Sequence, residues 1–125
     1  MGRKQCCETP EKTTVIFACA GASNVGQITN EAAKKLDQKG VGTFYCLIGL
    51  PAGIDGIMAN TRGADRVICL DGCGVACARK VLDQAEVPIS TYVVATDLGI
   101  EKGHHFEVSC DQVDAICSKV LASLA

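Results

Sequence analysis

Thr13-Thr14-Val15-Ile16-Phe17-Ala18-Cys19-Ala20-Gly21-Ala22-Ser23-Asn24 is the stretch that decides the fold. Its first eight residues are β-branched or apolar with no polar alternation, long enough for a strand buried on both faces and too short for a helix. Gly21 breaks the run, and Ser23 and Asn24 are both N-cap candidates. Val25, Ile28, Ala32 and Leu36 then recur at helical spacing opposite Glu31, Lys34, Lys35 and Lys39, and Gly40 stops the helix. A doubly buried strand running straight into an amphipathic helix is the opening half of a βαβ unit.

The same alternation recurs three times. Thr43 to Ile48 reads as a second strand, followed by a helix with Pro51 in its first turn and a stripe of Ile54, Ile57 and Met58, weakened by Gly53 and Gly56. Arg66 to Leu70 is a third strand, and Asp71-Gly72 leads into a helix carrying Val75, Ala78, Val81, Leu82 and Ala85. Thr91 to Thr96 is a fourth, and a last helix begins near Asp111 with Val113, Ile116, Cys117, Val120 and Leu124 on one face. The pattern predicts an α/β fold: a small Rossmann-like three-layer domain over residues 13–125 with a four-stranded, mostly parallel sheet, preceded by a polar, flexible segment over residues 1–12. Right-handed crossovers put every strand-to-helix loop on one edge of such a sheet, and ligands bind at that carboxyl edge.

Composition narrows the function classes. Twelve Lys and Arg against 14 Asp and Glu leave a net charge of −2, so there is no basic excess to neutralise nucleic-acid phosphates. No apolar run approaches the ~20 residues of a membrane helix. The start, Met1 to Cys7, lacks the apolar core of a secretory signal, and Cys6 stands where a myristoylation sequence carries Ser or Thr. The nine cysteines are an odd number in a 125-residue chain long enough to bury a core without staples, so complete internal disulfide pairing is impossible. The expectation is a reduced, cytoplasmic protein whose thiols serve another purpose.

Sorted by position, the cysteines divide. Cys19 ends the first strand, and Cys73 follows the third and caps or opens the next helix. Cys77 lies one turn further along nearly the same helical face, and Cys46 lies toward the carboxyl end of the second strand. These four could converge on one patch, where helix N-termini favour thiolate and four thiolates suit tetrahedral zinc. Cys69 and Cys117 read as core filler, Cys46 fits either reading, and Cys6, Cys7 and Cys110 stay unassigned. His104 and His105 occupy a polar loop bounded by Gly103, as surface residues or as further ligands, and Asp97 lines the same edge. Asp71 orients the turn into the helix by accepting backbone N–H groups.

Asp71-Gly72-Cys73, followed by Cys77-Ala78-Arg79-Lys80, resembles the DGC-domain family of zinc-binding proteins. Phe17 to Gly26 is similar to that family's first strand and cysteine-bearing turn, Cys46-Leu47-Ile48-Gly49-Leu50 to its second, and Thr96 to Lys102 to a segment near its end. The resemblance covers roughly residues 13–124. It implies a zinc site with Cys19, Cys46, Cys73 and Cys77 as the chelating cysteines, and no settled biochemical role; Cys46 owes most of its place in the set to this resemblance. Family members often carry proline after the central cysteine, where this chain has Gly74, which loosens the loop. A closed shell of four would make the metal structural, and three ligands would leave an open position for water or substrate.

Two other chemistries share these residues. Cys73 to Arg79 fits C-x5-R, the phosphate loop of cysteine-dependent phosphatases and arsenate reductases, in which backbone amides and the arginine hold an oxyanion while a thiolate attacks. Lys80 stands where a Ser or Thr assists the thiolate in those enzymes. A thiol redox or sulfur-transfer protein would use Cys73 with Cys19, since helical neighbours such as Cys73 and Cys77 make a poor disulfide.

Overall fold

The computed structural model describes residues 12–124, so Cys6, Cys7 and the expected flexible segment, apart from Lys12, lie outside the described residues. Four strands alternate with four helices: β1 (Thr14–Ala18), α1 (Asn24–Gln38), β2 (Thr43–Phe44), α2 (Asp55–Arg62), β3 (Arg66–Asp71), α3 (Cys77–Gln84), β4 (Thr91–Val94) and α4 (Cys110–Leu124). The sheet order is β2-β1-β3-β4 and every pairing is parallel, so the expected α/β class holds and the sheet is parallel throughout rather than mostly.

Side-chain alternation along the strands builds two cores. Ile16, Ala18, Ile68 and Leu70 pack with α1 and α4 on one face. Val15, Phe17, Val67 and Cys69 pack with α2 and α3 on the other. Cys69 and Cys117 are buried in these cores, as expected of filler. Ser23 is the N-cap of α1, its hydroxyl accepting the Gly26 N–H at 3.1 Å, and Gly40 follows the C-cap at a φ of 81°. No helix among the described residues is long and apolar enough to cross a membrane.

Four boundaries depart from expectation, and three of them move a candidate ligand or the loop beside it. β2 ends at Phe44: its last ladder bond, from the Tyr45 N–H to the Ile16 carbonyl, is followed by a 3-10 turn at Leu47–Gly49. Cys46 is therefore in a loop and not in a strand. Pro51 lies in a turn rather than a helix, because Gly53 at a φ of 76° reverses the chain before α2 starts at Asp55. α3 starts at Cys77, leaving Cys73 and an exposed Val75 in the preceding loop, so Cys73 neither caps the helix nor shares a face with Cys77. β4 ends at Val94, where the chain enters a 3-10 turn.

Because β2 and β3 flank β1 on opposite sides, the chain reverses direction across the sheet at the β1/β3 boundary, the position where open α/β sheets form a crevice. Two glycines close the backbone around it. A Cβ on Gly26 would lie 2.5 Å from both the nitrogen and the carbonyl oxygen of Gly21, and one on Gly72 would lie 2.9 Å from the Gly26 nitrogen. Gly74, by contrast, has open space around it. Gly26→Ala and Gly72→Ala are each expected to cost about 1–3 kcal/mol or more by urea denaturation, since rigid backbone must shift. Gly74→Ala is expected to stay within about 0.5 kcal/mol of the parent.

Candidate functional site

All four expected ligands lie at the carboxyl edge of the three strands β2, β1 and β3. Cys19 is half-buried just past β1, with its N–H still donating to the Leu70 carbonyl at 2.9 Å and its sulfur 3.7 Å from the Thr29 hydroxyl. Cys46 is exposed ahead of the 3-10 turn, and Cys77 is exposed as the first residue of α3. Cys73 is half-buried in the β3–α3 loop, where its sulfur accepts a hydrogen bond from Lys102 Nζ at 3.4 Å.

The edge is shared, but the four thiols do not gather into one cluster. Cys19 packs against the α2/α3 core and Cys73 against the α1/α4 core, on opposite faces of the sheet. Among the described residues no group of three or more His, Cys, Asp or Glu side chains is gathered closely enough to hold a metal ion. Thiols suit zinc in kind; their arrangement here is not a preassembled tetrahedron. His104 and His105 are exposed in the loop before α4. The His104 ring stands edge-on to Phe106, and His105 Nδ1 accepts the Glu107 N–H at 3.2 Å. Asp97 and Cys110 are also exposed.

Asp71 sets the shape of the Cys73 loop. Its buried carboxylate accepts the N–H of Ala78 at 2.8 Å and of Arg79 at 3.1 Å, plus the Tyr92 hydroxyl at 2.7 Å. The carboxylate thus acts as a remote cap on the first turn of α3 and fixes its start at Cys77. This is the role the sequence assigned to it, and it bears on the phosphate-loop reading. Two of the amides that would cradle an oxyanion are already occupied by a carboxylate. The Arg79 guanidinium lies over the Tyr92 ring, 5.1 Å from its centroid, with its Nε 3.8 Å from Asp83. The loop is therefore not arranged as a C-x5-R anion site.

Sequence reasoning missed Asn24 and Lys102 as partners of the site. The buried Asn24 amide donates to the Glu101 carbonyl at 2.8 Å and accepts the Gly103 N–H at 2.7 Å. Residues 101–103 are thereby strapped to the start of α1, which carries Lys102 to Cys73. The available signals were Asn24 beside the N-cap and the Thr96 to Lys102 segment; what joins them spans 77 residues of chain. Two further residues mark these loops: Ala20 at a φ of 50° and Ala76 at 60°, both in the left-handed region that a Cβ disfavours.

Asn24→Ala is expected to lower stability by about 1–3 kcal/mol in denaturant titration, because buried partners lose their hydrogen bonds. Amide exchange at Gly103 should then accelerate. Burial pushes the thiols of Cys69 and Cys117 up, and burial followed by the Asp71 hydrogen bond pushes the Tyr92 hydroxyl up. Each group is held neutral in the fold and ionises more readily in the unfolded chain. The thiol contribution is therefore complete below their ordinary value of 9.0 and is lost as pH rises above it. Denaturation midpoints should fall in that alkaline window, and less steeply for Cys69→Ala and Cys117→Ala than for the parent.

Comparison with known proteins places the chain in a family. The chain is similar to the Anaerobic and virulence modulator AnvM of Pseudomonas aeruginosa, 27% identical over 101 residues, covering 81% of this chain and 76% of that protein. No solved structure matches it significantly. The DGC domain family model matches residues 15–120, which takes in most of β1, the three loops carrying Cys19, Cys46 and Cys73, the Lys102 strap and most of α4, and the chain belongs to the DGC domain family.

Proposed function

We propose that this protein binds zinc through thiolates at the carboxyl edge of its sheet, drawing on Cys19, Cys46, Cys73 and Cys77. The observation that carries the reading is that four free thiols end or follow three adjacent parallel strands. Separate core packing of Cys19 and Cys73 means that the loops rearrange when the metal is held, and metal affinity is coupled to that ordering. The left-handed Ala20 and Ala76 support such a rearrangement, since strain of roughly 1–3 kcal/mol per residue can be released by it. Lys102 leaves the Cys73 sulfur when that sulfur takes the metal. Seven free cysteines among the described residues support a reducing compartment such as the cytoplasm. The relative's name describes a modulator, which supports a binding and regulatory role over a catalytic one.

The test is metal analysis of protein purified without chelator. Zinc is expected at a fixed ratio in the parent, absent when Cys19, Cys46, Cys73 and Cys77 are all changed to Ser, and unchanged in Cys117→Ser. Circular dichroism establishes that each variant is folded. A folded parent that neither retains nor takes up zinc overturns the reading.

A further inference from the structure

We propose that Cys73 and Lys102 form a redox-modification site, in which oxidation of the Cys73 sulfur leads to its capture by the Lys102 amine. The product is a covalent sulfur–nitrogen link between the β3–α3 loop and the strap after β4. The inference is independent of the metal reading, because it concerns the chain without metal, where the two side chains already touch.

Four observations carry it. The Lys102 nitrogen is 3.4 Å from the Cys73 sulfur. Lys102 makes no salt bridge among the described residues, whereas Lys34, Lys35 and Arg79 are each paired with a carboxylate. Asn24 grips the peptide on either side of Lys102, through the Glu101 carbonyl and the Gly103 N–H, so the lysine is delivered from an anchored backbone. Cys73 packs on the α1/α4 core while Cys19 packs on the opposite face, and Cys77 is separated from Cys73 by the left-handed turn at Ala76. Among the described residues it is the amine, and no thiol, that hydrogen-bonds the sulfur.

The chemistry uses a hydroperoxide as oxidant. The sulfur attacks the peroxide O–O bond, becoming a sulfenic acid, and the other peroxide oxygen leaves as an alcohol, or as water when the oxidant is hydrogen peroxide. Sulfur is oxidised by two electrons and the peroxide is reduced by two. The deprotonated Lys102 nitrogen then attacks the sulfur; the S–N bond forms, the S–O bond breaks, and hydroxide leaves with the amine proton as water. An external thiol reverses the link: it attacks the sulfur, expels the amine, and a second thiol resolves the mixed disulfide. While it persists, the link ties the strap across the crevice between the β1 and β3 loops.

The test treats the full, reduced chain, stripped of metal by chelator, with an excess of hydrogen peroxide over its thiols and digests it with trypsin without reductant. Mass spectrometry is expected to find the Cys73 peptide joined to the Lys102 peptide, two hydrogens lighter than the reduced pair, uncleaved after Lys102 and separated by dithiothreitol. Lys102→Arg keeps the charge and should give no link, its Cys73 passing on to sulfinic acid. Asn24→Ala, folded by circular dichroism, should cut the yield several-fold. Cys73 oxidised to sulfinic acid at equal rates in the parent and Lys102→Arg, with normal cleavage after Lys102, overturns the proposal. So does a disulfide from Cys73 to another cysteine as the main product. Neither outcome touches the zinc measurement, which is read in unoxidised protein.

Discussion

Backbone meets backbone where the β3–α3 loop, the first turn of α1 and the β1–α1 loop converge, and the carboxyl edge depends on that contact. Gly72 sits against the start of α1, and Gly26 against Gly21. Side chains at either position would wedge the loops apart. With Gly26 in place, α1 lies close enough to the β1–α1 loop for Thr29 to reach both the Ala20 N–H and the Cys19 sulfur. Gly72, seated against α1, accepts the Thr96 N–H at its carbonyl at 3.2 Å, so the segment after β4 is drawn into the edge.

Two buried polar side chains complete that arrangement. Asp71 spends both oxygens on α3 and Tyr92, which determines where the helix begins and how much loop is left for Cys73. Asn24 spends its amide on the strap, which determines what stands above Cys73. Neither side chain reacts in the readings above. Each is costly to replace because it satisfies several backbone groups that would otherwise be buried without partners. The strained Ala20 and Ala76 lie in the loops these residues hold, as expected where surrounding contacts over-determine the backbone.

Pleat and loop together set where the cysteines lie. Val15, Phe17 and Cys19 alternate onto the α2/α3 core, whereas Cys73 lies past the end of β3, where the loop and not the pleat turns it to the α1/α4 core. Cys69 and Cys117 show the other consequence: placed mid-strand and on the inner face of a helix, they are enclosed, and burial keeps their thiols protonated and inert. Reactivity is left to the cysteines in loops and at helix starts.

The sequence by itself determined the α/β class, the strand and helix order, the Ser23 cap, the stop at Gly40, the two core thiols, the orienting role of Asp71 and the edge that carries Cys19, Cys46, Cys73 and Cys77. These are legible because they rest on local periodicity, glycine position and the parallel topology that periodicity implies. Only the tertiary structure decided that β2 ends at Phe44, that α3 waits until Cys77, that Cys19 and Cys73 pack on opposite faces, and that Lys102 meets Cys73. Among the described residues β2 lies at the sheet edge with β1 on one side, and after Phe44 the chain leaves β1, which continues to Ala18, for the 3-10 turn at Leu47–Gly49. The helix start is set by Asp71 reaching the Ala78 and Arg79 amides past the Cys73 loop, whose length helical spacing does not reveal. The lysine contact rests on Asn24, since no local pattern carries a hydrogen bond across 77 residues.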